Sequence, residues 1–315
     1  MLDAVFPVGR LAPSPSGKLH LGHARTFALA WAHVRSRGGR LLLRLEDLDT
    51  SRCRPEHSAR LLTDLEWLGL DWEGPVLLQS ARLDALETAA LALEAAGYAY
   101  RCICTRADLA RAVEAPQRGV GEQRYPGTCR SRALGPGELG QPSALRFRVP
   151  EGRLGFVDGI AGAQTFDVGA EVGDFVILNR AGVPAYQLAA ALDDAEQGVN
   201  EVFRGDDLLS STPRQLLLLR ALGLREPAWF HVPLVLDSRG RRLAKRADDL
   251  SLESLREAHA DPRAVLGWVG ASAGLAVPER VTASELQSAF DLDRLPREPV
   301  LLSDAVFQHL LACRA

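Results

Sequence analysis

Lysine is almost missing from this chain. Of its 37 basic residues only Lys18 and Lys245 are lysine, and the rest are arginine. On a solvated surface the two cations are interchangeable. At a tight phosphate site they are not, because lysine is a compact point charge and arginine a planar fork. Two readings stand: drift toward arginine that spared two positions by chance, or retention where arginine would not serve, with Lys245 the better candidate. A basic excess is missing too. The formal charge is −3 and the isoelectric point about 6.2, so a nucleic-acid partner would need a local arginine patch. No basic stretch followed by an apolar run opens the sequence, which argues against a signal peptide. No apolar run reaches the roughly 18 residues of a membrane span. The cysteines number five, at 53, 102, 104, 129 and 313. An odd count without a secretion signal points to the cytosol, and to thiols or metal ligation rather than disulfides.

What is present supports a folded chain. The hydrophobic fraction of 47% allows a sizeable core. A length of 315 residues suits about two domains of roughly 100–200 residues each. Residues 4–9 read as a strand and 21–37 as a helix closed by Gly38 and Gly39. Residues 40–45 read as a buried strand. This is a βαβ unit with a parallel sheet. Helices are expected at 55–68 and 82–96, and strands at 144–149 and 174–178. Helical character is possible at 188–194. Residues 199–203 read as a strand ending at Arg204, and 231–236 as another. Ser211, Thr212 and Pro213 open a helix that stops at Gly223. Residues 98–142 hold three of the five cysteines and read as a compact insert. From 250 onward the pattern is helical.

The run PSPSGKLHLGH at 13–23 falls between the first strand and the first helix. A helix N-terminus there offers unpaired N–H groups and a partial positive charge to a phosphate. Gly22 permits close approach of a base or ribose. His20 and His23 can donate to charge that develops in a transition state. Arg10, Glu46 and Arg204 each follow a strand, so all three project from the carboxyl ends where open α/β sheets place their sites. A substrate with two carboxylates and one ammonium needs two cationic partners and one anionic one. Tyr186 can add a hydrogen bond. Cys102, Cys104 and Cys129 suit a tetrahedral zinc, and residues 98–142 contain no histidine for the fourth position.

These motifs resemble the class I aminoacyl-tRNA synthetases, whose adenylate signature is His-x-Gly-His. The run from Arg10 through PSPSG resembles the glutamate and glutamine subgroup. The resemblance covers roughly residues 8–245. It implies a Rossmann-type parallel sheet with a zinc-binding insert and a helical C-terminal region. It implies ATP contacts from His20, Gly22, His23, Arg242 and Lys245, with Mg²⁺ accompanying ATP. The catalytic group would be His20, His23 and Lys245. It implies an L-glutamate site at Arg10, Ala12, Pro13, Ser14, Glu46, Tyr186 and Arg204. Residues 242–245 stand where the second family signature, Lys-Met/Leu-Ser-Lys, belongs. Arg242 replaces its first lysine and Ala244 its serine.

The pattern of Cys102, Cys104, Tyr125 and Cys129 resembles the zinc site of the glutamyl-queuosine branch, with one structural Zn²⁺ per chain. Cys53 and Cys313 read as ordinary thiols. Only about seventy residues follow the second signature. The expected organisation is therefore a catalytic domain at 1–245 with the insert at 98–142. A helical stem-contact region at 246–315 would follow, with no anticodon-binding domain. That brevity resembles the glutamyl-queuosine enzymes and implies glutamate transfer to queuosine in the anticodon arm of tRNA(Asp), by a monomer. Two rivals remain. One is a short enzyme charging the 3′ end of tRNA(Glu) or tRNA(Gln). The other is a non-catalytic tRNA-binding paralogue, favoured by Ala244 and opposed by both histidines and Lys245.

Overall fold

The computed structural model describes residues 6–105, 107–109, 124–132, 135, 140–243 and 251–314. It begins with the expected βαβ unit: β1 (Val8–Leu11), α1 (Leu21–Arg35) and β2 (Arg40–Leu45), although β1 runs later than the expected 4–9 and so takes in Arg10. β1 and β2 pair in parallel, from Val8 opposite Arg40 to Leu11 opposite Leu43. A parallel pair requires a crossover, and α1 supplies it with a buried face that includes Leu21, Ala24, Ala28 and Ala32. The packing here is close. A Cβ on Gly39 would meet Pro7 O at 2.5 Å, and one on Gly9 would meet Val34 Cγ2 at 2.5 Å.

α2 (Pro55–Trp67) leads to β3 (Leu77–Leu78), which pairs in parallel with β2. α3 (Leu83–Ala95) precedes β4 (Ala99–Cys102) and β5 (Ala144–Phe147). A hairpin of β6 (Arg153–Asp158) and β7 (Gly162–Asp167) follows, turning at Gly162 with φ 77°. Its residues are mostly exposed or half-buried, so no strong apolar run marks this hairpin in the sequence. β8 (Phe175–Leu178) joins β4 and β5 in an antiparallel sheet of order β4-β5-β8. α4 (Tyr186–Glu196), β9 (Glu201–Gly205) and α5 (Thr212–Ala221) come next. The single strand expected over 231–236 is instead two, β10 (Ala228–Val232) and β11 (Val235–Asp237). Pro233 stands at the break and has no N–H to continue a ladder.

A sheet of order β7-β6-β10-β9 lies beside the sheet β1-β2-β3, with β9 next to β1. Asn200, just before β9, donates its N–H to Val8 O at 3.0 Å, and its Oδ1 accepts from Val8 N at 2.7 Å. The carboxyl ends of β1, β2 and β9 therefore share one edge. The C-terminal stretch adds α6 (Leu252–Glu257), α7 (Pro262–Ser272), α8 (Ala283–Ala289), β12 (Val300–Leu302) and α9 (Asp304–Ala312). It is not purely helical, since β12 pairs in parallel with β11. Leu252, Val265, Leu286 and Phe307 share one hydrophobic core with Leu29 and Leu41 of the first βαβ unit. Arg25 of α1, fully buried, ties these layers together. Its Nη1 donates to Pro233 O at 2.8 Å and its Nε to Ser272 Oγ at 3.1 Å. Burial lowers that guanidinium to about 10, with Asp206 opposing. Among the described residues no helix is long and apolar enough to cross a membrane.

Candidate active site

At the shared carboxyl edge lies a cavity of about 510 Å³. Arg10, Ala12, Pro13, Ser14, Glu46, Tyr186 and Arg204, the whole expected amino-acid set, line it. So do His20, Gly22, His23 and Arg242 of the expected nucleotide set. Lys245 and Ala244 lie outside the described residues. Leu243, just before them, lines the cavity, and Ser251, just after, bridges to His20. Leu252 N–H donates to Leu19 O at 2.8 Å, and Lys18 pairs with Glu253 at 3.1 Å. A second hollow of about 660 Å³, at the other end of α1 beside His33 and Phe290, holds none of the expected residues.

The histidine pair is built into the start of α1. His20 is the N-cap, and its Nδ1 accepts from Gly22 N at 3.1 Å. His23 Nδ1 accepts in turn from His20 N at 3.2 Å. Because each Nδ1 accepts, the ring proton of each neutral ring sits on Nε2. The rings are stacked 3.7 Å apart at a tilt of 31°. Gly22 has a packing reason beyond ligand approach: a Cβ there would sit 3.0 Å from His20 Nδ1 and Cε1.

The amino-acid end is a buried ion cluster. Arg10 donates from Nε to Asp194 Oδ1 at 3.0 Å and from Nη1 to Phe203 O at 3.3 Å. Its Nη2 has no partner among the described residues. Arg44, with no exposed surface, donates to Asp194 at 2.7 Å, to Gln197 at 3.0 Å and to Glu46 at 3.3 Å. Burial raises the Glu46 carboxyl above its ordinary range, partly offset by Arg44 and Arg10. Burial works on Asp194 in the same direction, but Arg10 and Arg44 outweigh it and hold that carboxyl low. Tyr186 is pushed up by burial and by Glu46, so its hydroxyl stays a donor. Burial lowers Arg204, with Tyr186 opposing.

Sequence reasoning missed Arg44 and Asp194. A charged residue inside the apolar run RLLLRL was a usable signal for the first. No local signal marks Asp194, one of two adjacent aspartates near the end of α4. It also missed His231 and Asp158, which stand behind Arg204. Arg204 Nε donates to His231 Nε2 at 2.9 Å, and His231 Nδ1 lies 2.5 Å from Asp158 Oδ2.

The cysteine cluster lies apart from the cavity, at the end of β4. The Sγ atoms of Cys102, Cys104 and Cys129 all fall within 4.8 Å of one another. Cys104 Sγ is 3.5 Å from Cys129 Sγ. Tyr125 Oη lies 3.4 Å from Cys102 Sγ and 3.5 Å from Cys104 Sγ. A tetrahedral zinc with Zn–S of about 2.3 Å and Zn–O of roughly 2.0 Å sets sulfur–sulfur edges of about 3.8 Å and sulfur–oxygen edges of about 3.5 Å. The three distances fit those edges. Tyr125 Oη also accepts the Cys129 N–H at 2.8 Å, and Arg146 covers its ring at 3.9 Å. Burial pushes the Cys104 thiol up to about 11 and raises the Tyr125 phenol as well, whereas at Cys129 burial is outweighed by hydrogen bonds, that from Tyr125 foremost, which hold the thiol low. A positive charge at the centre would favour the ionised form of all of them. The three thiols can hold a metal ion.

Residues 8–306 match the family described as tRNA synthetases class I (E and Q), catalytic domain. The chain is 48% identical over 308 residues to the Glutamyl-Q tRNA(Asp) synthetase of Symbiobacterium thermophilum, covering 93% of this chain and 94% of that protein. It is 48% identical over 302 residues to the protein of the same name from Nocardia farcinica, with 94% and 93% covered. Its fold is similar to that of a glutamate tRNA ligase from Elizabethkingia meningosepticum solved in complex with its amino acid. That similarity has a TM-score of 0.84 at 26% identity, over 97% of this chain and 68% of the other. With these matches spanning nearly its whole length, the chain belongs to the class I tRNA synthetases of the E and Q type and, within them, to the glutamyl-Q tRNA(Asp) synthetase family.

Proposed function

We propose that this enzyme condenses L-glutamate with ATP and passes the glutamyl group to queuosine in the anticodon arm of tRNA(Asp). The observation that carries the amino-acid choice is charge. Two arginines, Arg10 and Arg204, and one carboxylate, Glu46, line the amino-acid end of the cavity, with Arg44 and Asp194 paired behind them. Two cations and one anion match glutamate, whose two carboxylates need cationic partners and whose ammonium needs an anionic one. Neutral glutamine would leave one arginine without a charged partner. Arg10 Nη2 is the donor for a substrate carboxylate, and Glu46 the partner for the ammonium.

In the first step the glutamate α-carboxylate oxygen attacks the α-phosphorus of ATP. The bond to the β-phosphate bridging oxygen breaks, and pyrophosphate leaves. Nε2–H of His20 and of His23, with Lys245, stabilises the charge that builds on the phosphates. Mg²⁺ bound with ATP would neutralise phosphate charge. In the second step a hydroxyl of the queuosine ring attacks the mixed anhydride and AMP leaves. No covalent enzyme intermediate forms, and positioning supplies the rate. Cys102, Cys104, Tyr125 and Cys129 would hold one structural Zn²⁺, whose four protein ligands leave no open position for chemistry.

On this reading residues 1–245 are catalytic, 98–142 form the metal-pinned insert and 246–315 support the tRNA stem. The enzyme works as a monomer in the cytoplasm. The acceptor assignment is supported by the names of the relatives that match at nearly full length. The competing reading, charging of tRNA(Glu), draws on the fold shared with the Elizabethkingia ligase. Transfer of labelled glutamate to purified tRNAs decides between them. Label on tRNA(Asp) that vanishes when queuosine is absent is expected. Label on tRNA(Glu) instead would overturn the acceptor assignment.

A further inference from the structure

We propose that Asp158 and His231 are positioning residues for Arg204, acting by holding the His231 ring in a single tautomer. The proposal rests on the reading of Arg204 as a glutamate-binding residue. His231 on β10 and Arg204 on β9 are register partners across a parallel ladder. Arg204 Nε lies 2.9 Å from His231 Nε2. An arginine Nε–H only donates, so His231 Nε2 must be the bare nitrogen and the ring proton must sit on Nδ1. That proton points at Asp158 Oδ2, 2.5 Å away. Asp158 stands at the end of β6. Its other oxygen, Oδ1, accepts three backbone N–H groups: Ile160 at 2.9 Å, Ala161 at 2.8 Å and His231 at 3.1 Å. All three side chains are buried, Asp158 and His231 at 2% and 1% exposure and Arg204 at 4%, so water cannot substitute for a lost partner.

The rest of the guanidinium is clamped as well. Nη1 donates to Gln215 Oε1 at 2.9 Å, and Nη2 to Thr212 Oγ1 at 3.0 Å and Leu208 O at 3.3 Å. Of five N–H groups, these bonds and the histidine leave one, on Nη1, for a substrate carboxylate. Its direction depends on the plane of the whole group, and the histidine fixes one corner of that plane.

The chain of donors has a direction that only a carboxylate can maintain. Asparagine at 158 has the same shape. Its oxygen would stay on the three backbone N–H groups, leaving its NH₂ to face His231 Nδ1. The ring would then give up its Nδ1 proton and carry one on Nε2, aimed at the Arg204 Nε–H. Two donors would confront each other, and the guanidinium would have to turn.

The test uses the full chain in glutamate-dependent ATP–pyrophosphate exchange, with ring ¹⁵N spectra of the histidines. Expected for native protein is a His231 ring protonated on Nδ1 and bare on Nε2, with the signal assigned by its loss in His231→Gln. Expected for Asp158→Asn is the opposite tautomer. Its KM for glutamate should rise about tenfold to a hundredfold while its KM for ATP holds. His231→Gln offers an amide oxygen to Arg204 and should keep a glutamate KM below that of Asp158→Asn. A native ring protonated on Nε2 would overturn the proposal even if Asp158→Asn failed to fold. So would an equal rise in both KM values. An unchanged glutamate KM in Asp158→Asn would also overturn it, provided Arg204→Ala raises that KM. If Arg204→Ala itself leaves the glutamate KM unmoved, the glutamate-site reading fails instead.

Discussion

The cavity and the cysteine cluster both gather ionisable groups away from water, and they are assembled in opposite ways. The cluster draws on one stretch of chain, from Cys102 to Cys129, and its three thiols already stand close enough to hold one cation. The amino-acid end of the cavity draws Arg10, Arg44 and Glu46 from the first βαβ unit, Asp194 from α4 and Arg204 from β9. Its groups pair with one another only in part, and a donor of Arg10 is left for a substrate. The cluster closes on itself, whereas the cavity leaves a donor over.

That contrast can be broken from several sides. The largest effect is expected from Lys245→Ala, which removes the cation expected on the leaving phosphates. Exchange should fall by about two to three orders of magnitude with Tm unchanged, and near-normal exchange would refute the assignment. Next comes Arg44→Met, which strips Asp194 and Glu46 of a shared buried partner. Breaking such a network costs about 3–5 kcal/mol, visible as a lower denaturation midpoint together with a raised KM for glutamate. A loss of exchange with full stability would mean that Arg44 is not the keystone of the cluster.

Cys129→Ser should leave the cavity's charges alone. Metal analysis should show native protein, purified without chelators, holding about one equivalent per chain and the variant well under one. Exchange by the folded fraction should be retained. Metal-free native protein would remove the zinc assignment altogether.

The smallest effect serves as a control remote from both sites. Glu201 on β9 accepts from Arg37 Nη1 at 2.8 Å and lies 3.0 Å from His33 Nε2. Burial raises its carboxyl, but the bonds to His33 and Arg37 outweigh burial and hold it at about 2, below its ordinary 4.5. A depressed folded value means that its stabilisation is complete above the unfolded value and is lost as pH falls from 4.5 toward about 2. Glu201→Gln should cost about 1 kcal/mol at neutral pH, after discounting for solvent screening. It should also flatten the acid limb of the stability curve. An unchanged acid limb would show that the pair contributes nothing.

Much of the fold was legible because its signals are local. The apolar run at 40–45 needs no distant partner to read as a strand, and the Ser-Thr-Pro start of α5 and the glycines that close α1 are equally local. The hairpin β6–β7 was missed because its polar and apolar residues form a thin, half-exposed layer. The break at Pro233 was a local signal passed over. At the site, His20, His23 and the three clustered cysteines were legible because their chemistry is packed into short runs. Arg10, Glu46 and Arg204 were legible by position, since Glu46 follows β2 and the two arginines lie near the carboxyl ends of β1 and β9.

By itself the sequence determined the order of elements, the strand ends that carry charge, and the spacing of the cysteine ligands. These depend on interactions between near neighbours in the chain, which hydrophobic periodicity and turn chemistry report directly. Only the tertiary structure decided that Asp194 lies between two arginines and that His231 connects Arg204 to Asp158. It alone decided that the C-terminal helices share the core of the first βαβ unit. Each of those contacts joins residues far apart in the chain. Their energies come from burial and charge in a shared interior, which exists only after the layers have packed.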